Sequence, residues 1–84
     1  MTPILPPTNP LVPLKHQPVP GSSSIASAGY DPQRKILEIR YHGSGETHAY
    51  QDVPYDVHAR FLMAKSKGEF AHHVLRKQFA SRKV

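Results

Sequence analysis

From Lys35 to His42 the chain alternates: Leu37, Ile39 and Tyr41 are interleaved with Glu38, Arg40 and His42. That is the period of a strand with one face buried. Two further strands are predicted on weaker patterns. One runs from Ile25 to Tyr30, ended by the turn-forming Asp31-Pro32, and one from Glu46 to about Gln51, after the reversal Gly43-Ser44-Gly45. In the latter, His48 and Tyr50 share one face and Thr47 and Ala49 the other. Connections this short favour an antiparallel meander. At Pro54 the period changes. Proline suits the first position of a helix, and Asp56 suits the positive end of its dipole. Val57, Phe61 and Ala64 form one stripe, flanked by Leu62, and Lys67-Gly68 ends or kinks the helix. A second helix, from about Glu69 to Arg82, is predicted to turn Ala71, Val74, Leu75 and Phe79 inward. It would hold His73, Arg76, Lys77 and Lys83 together outward. The order β-β-β-α-α predicts an α+β domain, a three-stranded antiparallel meander followed by two helices packed on one sheet face. Its expected core is Leu37, Ile39, Tyr41, Val57, Phe61, Leu75 and Phe79.

Upstream of these elements the pattern vanishes. Seven of the nine prolines fall before Gly21. Each fixes its own φ, removes a backbone donor and biases its predecessor away from helix. Residues 1–21 are therefore expected to be a disordered, polyproline-II-biased tail, and 22–84 the folded domain. The spacings Pro3 to Pro6, Pro7 to Pro10 and Pro10 to Pro13 are of the P-x-x-P kind that docks aromatic-lined grooves, although any proline-rich tail produces them by chance. About sixty residues remain for folding, near the size where one core only just outweighs chain entropy. With no cysteine, neither a disulfide framework nor a cysteine-based zinc site helps. No apolar run approaches the ~20 residues of a membrane helix, and no signal-peptide pattern opens the chain, so a cytoplasmic protein is expected.

Charge is unevenly distributed. The net charge is +5, yet from Val57 to Val84 seven basic residues face Glu69 alone, which makes that third +6. Such a surface suits a polyanionic partner. Lysines and arginines on one helix face displace counterions from nucleic-acid phosphates, so Arg76, Lys77, Arg82 and Lys83 are the first candidates. Lys65 and Lys67 beside Gly68 are a second group, where the backbone N–H groups of a turn would join them around a phosphate. The blander account is that helices routinely solvate themselves with such residues, and that Gly68 only permits a turn. Among the strand aromatics Tyr50 is the candidate to stack on bases, at ~1–3 kcal/mol per base.

The residues also form a recognisable order. Ser22-Ser23-x-Ile25 is followed by Gly29-Tyr30-Asp31, Leu37-x-Ile39-x-Tyr41, Gly45, Tyr50 and Val53-Pro54. Then come Ala64-x-Ser66-Lys67-Gly68-x-Phe70 and Leu75-Arg76-x-x-Phe79. From Ser22 to Phe79 the chain resembles the KTSC domain, a small bacterial domain also found at the C-terminus of some lysyl-tRNA synthetases. The resemblance implies RNA binding, the activity suggested for that family. Two positions depart from the family pattern: His48-Ala49-Tyr50 stands for a Tyr-x-Tyr, and Phe70 is followed by Ala71 and His72 rather than by an aromatic and Asn.

The remaining chemistry is sparse. His72 and His73 are adjacent and would diverge by about 100° on an α-helix, which disfavours a shared ion. His48 and His58 fall on different elements, and no zinc-ligand spacing is present. Ser22, Ser23 and Ser24 read as a hinge. No metal, cofactor or catalytic constellation is expected. The sequence points to a small non-enzymatic nucleic-acid-binding module, RNA favoured, gripping phosphates with its basic helical face. The alternative is a protein-interaction module that uses the Pro-rich tail or a sheet edge, the basic face only solvating.

Overall fold

A computed structural model describes residues 14–84. The strands are β1 (Gln17–Pro18), β2 (Ile25–Asp31), β3 (Ile36–Tyr41), β4 (Thr47–Tyr50) and β5 (Ser81–Lys83). Between β4 and β5 lie α1 (Tyr55–Met63) and α2, which runs as Lys67–Phe70, a π-helical Ala71–Leu75 and Arg76–Gln78. The strands form one antiparallel sheet in the order β1-β2-β3-β4-β5. The α+β class and the central meander are as expected. The sheet has five strands rather than three.

Both additional strands overrule local signals. β1 lies in the segment expected to be tail. Pro18 has no N–H to give, but on an edge strand none is required, and Val19 N donates to Ala26 O at 3.0 Å. His16 then fastens the segment to the sheet face away from the helices, its ring nitrogens 2.8 Å from Ser27 Oγ and 2.9 Å from Glu38 Oε1. The expected tail therefore stops short of residue 14, and its remainder, 1–13, lies outside the described residues. At the other end, α2 stops at Gln78 because Phe79 turns extended (φ −126°, ψ 139°). Ala80 O accepts from Gln51 N at 2.8 Å, and Val84 N donates to Thr47 O at 2.9 Å. Pairing with β4 thus outcompetes continuation of the helix, and Arg82 and Lys83 belong to a strand.

Alternation along β3 buries Leu37 and Ile39 on the helix side. β2 breaks strict alternation, since Ile25 and Ala28, three apart, are both buried in the same core. The register shift between Ile25 and Ser27 explains this: the extra residue, Ala26, returns both side chains to one face. Tyr50, Val53, Val57, Phe61, Ala71 and Leu75 complete the core. Tyr41 and Phe79, expected at its centre, are half-buried at its margin. Pro54 sits one position before the helix, in extended conformation, and its carbonyl accepts from Val57 N and His58 N.

Because His16 and β1 are integral, a chain beginning at Gly21 should be less stable than one beginning at Leu14. A deficit of about 1–3 kcal/mol is expected, the scale for leaving a half-buried polar partner such as Glu38 unpaired. Chemical denaturation of the two truncations checks this, and equal midpoints would return β1 to the tail.

Candidate nucleic-acid groove

Ser66 caps α2, its Oγ accepting from Glu69 N at 3.2 Å. Gly68 then lets the helix start lie against the segment before β2: a Cβ at Gly68 would meet Ser24 Cβ and Oγ at 3.0 Å. On the other side of this contact Ser22 Oγ accepts from Ile25 N at 3.0 Å and Ser24 N at 3.3 Å, which shapes the approach to β2. The serines expected to be a hinge are thus the wall of a site.

Between that wall, α2 and the β3–β4–β5 sheet opens a groove of about 880 Å³. Ser23, Ser24, Ser66 and Ser81 supply hydroxyls to its lining. His48, His72, His73 and Arg76 supply imidazoles and a guanidinium, and Tyr41 and Tyr50 reach it from the sheet. A second hollow of about 410 Å³ adjoins it, lined by residues 19–24 and 65–68. Ser23, Ser24, Ser66 and Gly68 line both. The combined surface carries Lys65 and Lys67 at one end and Arg76 at the other.

The π-helical stretch places the histidines. Both His72 and His73 face the groove, their rings edge-to-face with centroids 5.0 Å apart. The divergence expected of adjacent residues on an α-helix therefore does not keep them on separate sides. π-helical segments recur at functional sites. Arg76 donates to His72 Nδ1 at 3.1 Å. No cluster of His, Asp or Glu able to hold a metal ion occurs among the described residues.

Tyr50 corrects the stacking expectation. Its ring is 1% exposed and fills the core, so it offers no face to a base. Only its hydroxyl reaches the groove, 2.8 Å from the hydroxyl of Tyr41. Burial first, and then the bond to Tyr50, push the Tyr41 phenol well above its ordinary range, partly offset by Arg76. The Tyr41 phenol therefore remains a neutral hydrogen-bonding group across the physiological range.

The other basic candidates separate. Arg82 pairs with Ala49, which pairs with Glu38, so it belongs to the sheet face away from the groove. Lys83 pairs with His48 on the groove side and holds Glu46 Oε2 at 3.3 Å. Lys77 is exposed on α2 and lines neither hollow. Lys67 Nζ donates to Ala64 O at 3.3 Å. The face expected to unite Arg76, Lys77, Arg82 and Lys83 does not form, because the helix that would carry them ends at Gln78.

Two outcomes test this geometry. Gly68→Ala should lower the denaturation midpoint even though alanine is favoured in helices by 0.5–1 kcal/mol, and Ser24→Gly should restore it by removing the clashing Cβ. Independent, additive losses would mean that the two residues do not press together. Glu46 is held below the usual carboxylate range by its hydrogen bonds to Lys83 and then to His48. Its pairing contributes stability above the unfolded carboxylate pKa and loses it as pH falls through the lower folded value. Carboxyl-carbon NMR titration should find Glu46 protonating at lower pH than an ordinary glutamate, and Lys83→Met should move it back up.

The quoted sequence motifs sort cleanly in three dimensions. Ile25, Leu37, Ile39, Val53 and Leu75 are core, whereas Ser23, Tyr41, Tyr50, Ser66, Gly68 and Arg76 converge on the groove. A family model, the KTSC domain, matches residues 21–79. The chain is 43% identical over 63 residues to a protein of Tsukamurella paurometabola, covering 75% of this chain and 91% of that one. It is 40% identical over 57 residues to an uncharacterised protein of Stutzerimonas stutzeri, covering 68% and 79% respectively. The crystal structure of a KTSC domain protein from Yersinia pestis superposes with a TM-score of 0.77 at 43% identity, covering 83% of this chain and 96% of its own. This chain belongs to the KTSC domain family.

Proposed function

We propose that this domain is a non-enzymatic RNA-binding module of the cytoplasm, and that it grips the phosphodiester backbone along the two joined hollows. The observation that carries the reading is their continuity. Four shared residues link the Lys65/Lys67 end to the Arg76 end, so successive phosphates meet cations at both ends and hydroxyl donors between, with Glu69 the one carboxylate on the lining. Arginine suits this role because its planar fork makes paired, charge-assisted bonds to phosphate oxygens. Serine hydroxyls and imidazole nitrogens also suit a ribose 2′-OH, which both donates and accepts, and this favours RNA over DNA. The exposed rings of His72 and His73 take over the stacking role first given to Tyr50. Contacts of this kind grip the backbone with little base discrimination.

The test compares two sets of substitutions. Lys65→Gln, Lys67→Gln and Arg76→Gln together should weaken binding to every single-stranded RNA tried. They should also flatten the slope of log affinity against log salt by roughly 0.7 per lost contact. Lys77→Gln with Arg82→Gln, outside the groove, should leave the slope nearly unchanged. Exposed charges contribute at most about 1 kcal/mol to stability, so both sets should fold. Equal slopes for both sets, or no binding by the unaltered protein at low salt, would overturn the proposal.

A further inference from the structure

The outer side of α1 takes no part in the groove. Tyr55 (67% exposed), Leu62 (53%) and Met63 (84%) stand out in solvent. Tyr55, His58 and Leu62 recur at i, i+3 and i+7, one helix face. His58 lies flat on Tyr30 with ring centroids 4.2 Å apart and planes 12° from parallel. Tyr55 stands 6.0 Å from His58 and 6.4 Å from Tyr30. Burial lowers the His58 pKa from its ordinary value, so its ring is neutral near pH 7 and behaves as a third aromatic. Its Nδ1 is buried with no hydrogen-bond partner among the described residues.

Tyr30 and His58 border a hollow of about 460 Å³ between α1 and the β1–β2 edge, walled also by Pro18, Val19, Ala28, Phe61 and Leu62. Pairing of β1 with β2 stops at Gln17 and Ala28, and the chain before it leaves the edge beside this hollow. Lys15 lines the rim, and its carbonyl is so close to Gly29 that a Cβ there would sit 2.7 Å away. Thirteen residues precede Leu14, and they include the uncharged run Pro3-Ile4-Leu5-Pro6-Pro7.

We propose that this aromatic-bordered hollow is a docking site for a polyproline-II segment, and that its occupant is the chain's own Pro3–Pro7. The chemistry matches on each count. Polyproline-II segments bind by laying pyrrolidine rings and apolar side chains on aromatic surfaces, and their preset backbone dihedrals leave little entropy to lose. A run without charge enters an apolar hollow without desolvating an ion. The reach is sufficient: the seven residues from Pro7 to Leu14 span roughly 20 Å at ~3.1 Å per residue. Asn9-Pro10, a turn-initiating dipeptide, offers a place for the return. Tethering this short sets an effective concentration on the order of millimolar, so an intrinsic dissociation constant of about 1 mM already fills half the sites. The hollow shares no lining residue with the larger, Arg76-bearing part of the RNA groove and meets its smaller part at Val19, Pro20 and Lys67; the test below contains no RNA, so docking is decided without reference to RNA binding.

The test uses the full chain. It has no cysteine, so Thr2→Cys gives a single site for a nitroxide label at the end of the docking run. The amide signals of Tyr30, Tyr55, His58 and Leu62 should lose at least half their intensity relative to the reduced label, while those of Ser23 and Arg76 keep most of theirs. Leu62→Asp, at an exposed position, should abolish the selective loss and leave the rest of the spectrum in place. A 1:1 mixture of nitrogen-15 protein without label and labelled protein without nitrogen-15 should show no loss. Uniform or absent broadening in the labelled chain would overturn the proposal. So would selective broadening in the mixture, which would make a second copy the occupant.

Discussion

Seven fully buried side chains, Ile25, Leu37, Ile39, Tyr50, Val53, Phe61 and Leu75, hold two short helices on one face of the sheet. Each contributes about 1.5–3 kcal/mol by leaving water, against a total stability that is normally only 5–15 kcal/mol. With no cysteine in the chain, and no cluster able to hold a metal ion among the described residues, these rings and aliphatic side chains are committed to the core. What the domain offers a ligand must be built around the core's margin. The groove lies there, where Tyr50 ends, where α2 begins and where β5 returns.

Tyr50 shows how one residue serves both demands. Its ring belongs to the core, while its hydroxyl, bonded to that of Tyr41, forms part of the groove floor. Gly68 is the corresponding economy in the backbone. By lacking a side chain it brings the cap of α2 against Ser24, and that contact makes two hollows continuous. The Gly29-Tyr30-Asp31 stretch is structural by comparison. Gly29 admits the carbonyl of Lys15, the Tyr30 hydroxyl donates to Val53 O at 2.6 Å, and Asp31 accepts from Gln33 N and Arg34 N to close its turn.

What the sequence made legible follows the strength of its local signals. β3 alternates cleanly because one face is buried along its whole length, and α1 carries its apolar stripe at helical period. β1 and β5 were not legible, since two or three residues paired on one side leave too little pattern to register against prolines or a helical continuation. The basic set was misgrouped for the same reason: a helix through Arg82 would unite residues that the strand separates onto opposite faces. The groove was only half visible. Ser23, Ser66 and Arg76 lay inside recognisable motifs, but their convergence from the approach to β2, the cap of α2 and the far end of α2 is a tertiary fact. The π-helical turn that aims His72 and His73 together has no signature in the order Ala71-His72-His73-Val74-Leu75.

The two departures from the family pattern acquire a common meaning in three dimensions. His48 and His72 are far apart in sequence, on β4 and α2, yet both line the same groove. Each is also engaged by a charged neighbour, His48 by Glu46 at 3.2 Å and His72 by Arg76 at 3.1 Å. The first contact ties an imidazole to a carboxylate and the second ties one to a guanidinium, so each departure sets a flat nitrogen heterocycle beside a charge at the groove's margin. Neither residue belongs to the buried core, so these departures alter what the groove presents while leaving the core beneath it unchanged.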